Sequence, residues 1–402
     1  MKLPDGSHLT YCTNIHPGEG LAQVRDALER HVRAVKRSVC PDAPFGVGLR
    51  LSARAAGELL EGSALTDLKN FLEHAGLYVF TINGFPYGPF HGTPVKAEVY
   101  LPDWRSPERL HYTGQLAKVL ATLLPQGLEG SISTVPVGFK AEFLDPTEVT
   151  RAADNLIAAA GDLHNLERES GRRITLALEP EPCCHLETID EAVAFFTQVL
   201  RSERAISRMA EHCGITRNQA ATAVQRHLGL CLDTCHAAVE YEDPADLLAQ
   251  LDAAAIRIAK VQLSSGLRIP KVDAQALTAL SPYADTTYLH QVVERRDGLL
   301  RRFTDLPEAF AAHAARADGQ SPEWRVHVHV PVFLETLPHF GTTQNFLCAI
   351  LDAQMRQKLC DHLEVETYTF DVLPSEARCV DVDSAIAREL SFCLSRLQAT
   401  GG

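Results

Sequence analysis

Short runs of β-branched and apolar residues alternate with longer helix-like stretches from one end of this chain to the other, and that alternation leaves few architectures open. The strand-like runs are Leu9 to His16, Phe45 to Ser52, Leu77 to Phe85, Ser131 to Phe139, Ile174 to Glu181, Leu228 to Cys235, Ile258 to Ser264, Trp324 to Phe333 and Leu363 to Phe370. Strands that alternate with helices pair in parallel, because each crossover helix returns the chain to the same end of the sheet. Nine runs are one more than an eight-stranded barrel takes.

The intervening stretches carry the 3.6-residue period of helices packed by one face. In Gly20 to Ser38, Leu21, Val24, Ala27, Leu28, Val32 and Val35 form one stripe and Arg25, Glu29, Arg30, Arg33 and Lys36 lie largely off it. Pro146-Thr147-Glu148 starts a second helix that runs to about Glu169, and Asp190 to Leu200 reads as a third. No repeat, low-complexity tract or Pro/Ser-rich linker interrupts the 402 residues, so residues 1–402 read as a single domain. Two long connections stand out. Thr81 to Gly92 is rich in Gly, Pro and aromatic residues directly after a strand, and residues 265–323 are long enough for an inserted lid or cap.

Charge and cysteine usage exclude several function classes. A net charge of -13 with no Lys/Arg-rich block argues against a grip on nucleic acid or anionic lipid. No apolar run approaches the length of about 18 residues needed to span a bilayer, and the N-terminus lacks a signal-peptide core, so a cytoplasmic protein without membrane insertion is expected. Eleven cysteines without zinc-finger spacing resemble buried thiols in a reducing compartment.

The chemistry concentrates at strand ends. Leu228 to His236 reads as an apolar strand ending in Asp233-x-x-His236, and a carboxylate and an imidazole so spaced reach one cation at a barrel mouth. Glu179 ends another strand-like run, and Glu366 lies within the last one. Each has a structural reading too. Asp233 and His236 could simply bond each other at a strand end; Glu181 could be the ligand in Glu179-Pro-Glu-Pro, with Glu179 behind it; Glu366 could be a cross-strand charge. His327 and His329 alternate onto one face of their strand, to bind metal, line a pocket or support the fold. His16 and His91 follow strands, on loops that contact ligand or stand exposed, and Asn83 before Gly84 is also a turn signal. Cys183, Cys184 and His185 are too close in sequence for good geometry around one ion and read as packing.

Gly229 to Ala237 resembles the sixth-strand motif of the xylose isomerase-like TIM barrels. Leu9 to Glu19, Asn83-Gly-Phe-Pro-Tyr-Gly, Leu178-Glu-Pro-Glu-Pro-Cys-Cys and Val365-Glu-Thr-Tyr-Thr are similar to the EboE family, the TIM-barrel members of Ebo metabolite-traffic operons. The resemblance spans nearly the whole chain and implies an α/β, (β/α)8 barrel. By position it implies Glu179, Asp233, His236 and Glu366 as metal ligands, with Glu179 and Glu366 also catalytic. On the seventh strand Gln262 stands where these barrels commonly place a metal-binding histidine, and an amide is a weaker ligand. His329 and His327 are the substitutes, similar to the His/Asp-x-His pair of endonuclease IV. His16, Asn83, His91 and His327 are the expected substrate contacts.

These expectations amount to a divalent-metal isomerase or epimerase, with manganese, magnesium or zinc, acting on a small sugar, polyol or cyclitol, perhaps phosphorylated. The family setting implies a metabolite pathway with other Ebo proteins as partners. Phosphoester hydrolysis or lyase chemistry, and a non-catalytic metabolite carrier, are the alternatives.

Overall fold

The computed structural model describes residues 1–91, 95–143, 145–284, 287–315, 321–369 and 381–398. In chain order the strands are β1 His8–Tyr11, β2 Phe45–Arg50, β3 Leu77–Asn83, β4 Gly130–Thr134, β5 Ile174–Leu178, β6 Leu228–Asp233 and β7 Ile258–Leu263. Then come β8 Leu267–Ile269, β9 Val292–Arg296, β10 Leu299–Phe303, β11 Glu323–Val326, β12 Gly341–Thr342 and β13 His362–Val365.

The first seven strands and β13 form one all-parallel sheet in the order β1-β13-β7-β6-β5-β4-β3-β2. Helices cover its outside and side chains fill its inside, so its strands are buried on both faces, as parallel strands require. The two ends of the sheet meet. Cys12 bridges Gly48, and the Thr10 hydroxyl donates to Gly46 O (2.7 Å) and accepts from Gly48 N (3.1 Å). Thr13 Oγ1 takes the Arg50 N–H in the same way (2.8 Å). Hydroxyls thus stand in for ladder bonds where β1 and β2 complete an (β/α)8 barrel.

The helices form where the periodicity places them. Leu21–Ala27, Leu28–Val32 and Arg33–Val39 run as one helix with a π turn in the middle, burying Val24, Ala27, Leu28, Val32 and Val35. Pro146–Ser170 starts on an Asp145 cap and stops at Gly171, whose φ of 69° suits a residue without Cβ. Ile189–Ala194 continues as a π turn over Phe195–Leu200.

The extra strand-like run is Trp324 to Phe333. Only Glu323–Val326 is strand, and it belongs to a second, five-stranded antiparallel sheet ordered β10-β9-β11-β8-β12. That sheet has its own core around Leu267, Val292, Phe303, Trp324 and Val326. It spans residues 267–342 and so extends past residue 323, where the inserted segment was expected to end. β9 and β10 turn on Asp297 and Gly298, both in the left-handed region (φ 50° and 79°), the hairpin geometry that Asp-Gly favours. His327 and His329 therefore lie beyond the end of β11, on the connection between β11 and β12 of the second sheet; strand alternation does not explain their shared direction. The other barrel strands stop short of their expected ends as well, β1 at Tyr11 rather than His16 and β5 at Leu178 rather than Glu181. Phe370, the expected end of the last run, lies outside the described residues.

Candidate metal centre

Parallel strands deliver their C-terminal ends to one face of a barrel, and the polar residues of this chain collect there. β6 ends on Asp233, which caps the short helix Thr234–Val239. Its Oδ1 accepts from Cys235 N (2.7 Å), His236 N (3.0 Å) and Ser264 Oγ (2.6 Å). Its Oδ2 is buried and has no partner among the described residues. Glu179 follows β5 directly, tied by its own N–H to Thr134 O (3.2 Å), and its Oε2 is equally buried and unpartnered. Glu366 follows β13, its N–H on Leu263 O (3.1 Å). Glu366 Oε1 accepts from Asn14 Nδ2 (2.6 Å) and Asn83 Nδ2 (3.1 Å), and Oε2 is left without a partner. One oxygen from each of these three carboxylates lies within 4.8 Å of the others. Unpartnered carboxylate oxygens are costly to bury, and three that converge form a shell for a cation.

Burial, then the charge of Glu366 and of Asp233, drives Glu179 well above the usual carboxylate range. Glu366 is driven up by burial and by Asp233 and Glu364. One level deeper, Lys260 and Glu364 form an ion pair with both side chains fully buried. β2 makes room for it at Gly48, where a Cβ would collide with the Glu364 carboxylate and stand 2.6 Å from Tyr11 O. That ammonium is a positive charge that lowers the carboxyls above it.

Three imidazoles line up beside the carboxylates. His236 Nδ1 donates to Pro180 O (3.1 Å) and His329 Nδ1 to Glu366 O (2.8 Å). Carbonyl oxygens only accept, so both nitrogens carry the proton and both Nε2 atoms keep a lone pair, the arrangement of metal-binding histidines held by an outer carbonyl. His329 Nε2 has no hydrogen-bond partner among the described residues, and the side chain is fully buried. His236 Nε2 stands 3.1 Å from His327 Nε2 and 3.9 Å from Asp233 Oδ2. Burial and the neighbouring imidazoles hold His236 and His327 well below the usual histidine range. Donor atoms of Asp233, His236 and His329 form a second converging group, and Glu181, His236 and His327 a third.

The remaining expected residues divide. Asn83 lines the cavity and braces Glu366, while its Oδ1 also accepts from Phe85 N (3.0 Å), a local turn bond. Gln262 is fully buried on β7 beside Asp233 of β6, and its Oε1 accepts the Cys231 thiol (2.8 Å). His91 Nε2 bonds the carbonyl of Asn14 (2.6 Å), the residue whose side chain braces Glu366. His16 lies away from the cavity lining, stacked on His31 (4.3 Å between centroids) with Nε2 on Tyr11 OH (3.0 Å).

Other residues matter that the sequence reading did not select. Asn14 braces Glu366. Glu181, weighed only as the substitute for Glu179, accepts from Tyr100 OH (2.6 Å), and burial pushes it up to about 8. Gln291 and Tyr288 come from the segment that carries the second sheet, and the Tyr368 ring lies tilted beside His329 (4.7 Å between centroids). Asn14 and Tyr368 could have been found, since each follows a barrel strand; Gln291 carries no local signal. Above the floor of Glu179, Glu181, His236, His327 and Glu366, a cavity of about 50 Å³ opens to solvent between Phe85, Phe90, Tyr100, Tyr288 and Tyr368. Lys96 is the cationic side chain there among the described residues, and its Nζ is held by Tyr288 O (2.6 Å) and Asp305 Oδ2 (2.7 Å).

No protein-family model and no curated protein matches the chain. Among solved structures it is similar to a xylose isomerase-like TIM-barrel protein from Mycobacterium smegmatis in complex with magnesium, at 13% identity and a TM-score of 0.52 over 99% of each chain. It is also similar to an IOLI protein with a binding zinc atom, at 14% identity, a TM-score of 0.48 and 97% of each chain. A D-psicose 3-epimerase from Clostridium cellulolyticum, solved with D-tagatose, matches at 10% identity and a TM-score of 0.47 over 98% of each chain. At this identity the likeness to the first of these supports the fold alone, a (β/α)8 barrel, to which this chain adds a second sheet.

Proposed function

We propose that this chain is a divalent-metal-dependent isomerase or epimerase acting on a small sugar, polyol or cyclitol. The observation that carries the reading is the convergence of Glu179, Asp233 and Glu366, each with one buried oxygen that no described residue satisfies. The same donor set, with His236 and His329 alongside, suits manganese, magnesium or zinc. Such a cation supplies charge stabilisation to an oxyanion formed when a proton leaves the carbon next to a carbonyl. Glu179 and Glu366 then act as the acid and base. Burial and mutual repulsion keep their carboxyls from ionising together, so one presents a proton while the other accepts one. Asp233 stays a ligand, and Asn14 and Asn83 hold Glu366 in register with it.

Phosphoester hydrolysis or lyase chemistry is a second reading, favoured by the imidazole donors that add two further converging groups to the carboxylate set. We rank it lower because Lys96, the cation at the cavity wall, is already engaged by a carbonyl and a carboxylate and a phosphate would meet an acidic floor. A metabolite carrier would use the same cavity without turnover. The motif likeness to the EboE family supports a cytoplasmic metabolite pathway with other Ebo proteins as partners.

The test is exchange of substrate protons with solvent. Manganese-loaded protein incubated with a panel of ketoses and cyclitol ketones in deuterated water should place deuterium next to the carbonyl of at least one of them. Glu179→Gln and Glu366→Gln should each slow that exchange by about 10²- to 10⁴-fold. Cleavage of a phosphoester with no deuterium in any ketone would overturn the reading in favour of hydrolysis; neither activity, with tight metabolite binding, would make the chain a carrier.

A further inference from the structure

We infer that Gln291 is a positioning residue that fixes the tautomer of His327, so that His327 presents a lone pair at Nε2 to the cavity. The inference deepens the reading of this face as the reactive one, because it concerns an imidazole beside the proposed ligands. Gln291 and His327 are both almost fully buried, 1% and 3% exposed, and both come from the inserted segment. They are joined twice: His327 N donates to Gln291 O (2.9 Å), and His327 Nδ1 stands 2.8 Å from Gln291 Oε1.

Which end of the amide is which follows from its other neighbours. The far end lies 3.2 Å from Pro182 O, 3.2 Å from Glu181 Oε1 and 2.8 Å from Tyr100 OH. A backbone carbonyl only accepts, so this end must be the NH₂ group. Tyr100 spends its own proton on Glu181 (2.6 Å) and therefore accepts as well. The near end is then the amide oxygen. It can only accept, so the proton sits on His327 Nδ1 and leaves Nε2 bare. That nitrogen can take the Tyr368 hydroxyl proton at 3.4 Å, and it lies 3.1 Å from His236 Nε2, bare as well, so that the two lone pairs converge on the cavity floor as they would on a shared cation. Gln291 thus couples the segment after β5, through Glu181 and Pro182, to an imidazole delivered by the second sheet.

The closing experiment reads the tautomer directly, by ¹⁵N and ¹H NMR of ring-labelled histidine in the full chain without added metal. Wild-type His327 should show a protonated Nδ1 and an unprotonated Nε2. Gln291→Leu, close in size but unable to accept, should release that preference and weaken zinc binding by about 10- to 100-fold. Gln291→Glu keeps an acceptor beside Nδ1 and should restore the wild-type tautomer. A proton on Nε2 of wild-type His327 overturns the inference without recourse to any variant, and so does a Gln291→Leu protein whose tautomer is unchanged. The outcome is separable from the functional proposal: the predicted tautomer in a protein that binds no metal would sustain the role of Gln291 and sink the metal-dependent chemistry.

Discussion

Asp233 divides its two oxygens between two tasks, and the division makes the residue testable. Oδ1 caps a helix by accepting two backbone N–H groups and the Ser264 hydroxyl, while Oδ2 is left for a cation. Asparagine caps about as well as aspartate, but it carries no charge. Asp233→Asn should therefore keep its melting temperature within a few degrees while losing metal affinity by at least about 100-fold, read by elemental analysis after dialysis. Full metal occupancy in the variant would remove Asp233 from the centre. At this scale the sequence was most legible where a charged residue ends an apolar strand, as Glu179, Asp233 and Glu366 do. It was silent where a role depends on a partner hundreds of residues away. Asn14 bonds Glu366 across 352 positions; its place after a barrel strand marks it as a candidate, but nothing in Thr-Asn-Ile-His names that partner.

The secondary-structure elements were legible from period and alternation, and their ends were not. The helices of residues 21–39 and 146–170 follow their apolar stripe and their Asp145 and Gly171 caps. The strand-like runs were read too long because the residues beyond each strand, such as Val135 and Val137 after β4, are apolar and buried too. They pack under loops instead of extending the sheet. The seam between β1 and β2 has a different logic. There the ladder is replaced by the Thr10 hydroxyl, which serves a buried carbonyl on Gly46 and a buried N–H on Gly48. Thr10→Val keeps the shape and strips both bonds. It should cost about 1 to 3 kcal/mol in chemical denaturation, the penalty for leaving buried backbone groups unpaired. A loss below about 0.5 kcal/mol would mean that the Thr10 hydroxyl does not hold the seam.

For the molecule as a whole, eight parallel strands in sequence order were readable, and the ninth run was the one the alternation could not place. Trp324 to Val326 looks like any buried strand; only its antiparallel partners β8 and β9 show that it belongs to a separate sheet. That sheet matters because its segment supplies His327, His329, Gln291 and Tyr288 to the barrel mouth, so the centre is assembled from two cores rather than one. The account rests on three carboxylates sharing one cation. Anomalous diffraction from crystals grown with manganese tests it most directly. The account predicts a peak about 2.0 to 2.3 Å from an oxygen of each of Glu179, Asp233 and Glu366. A structure with manganese in the crystals but no peak between these three carboxylates would contradict it.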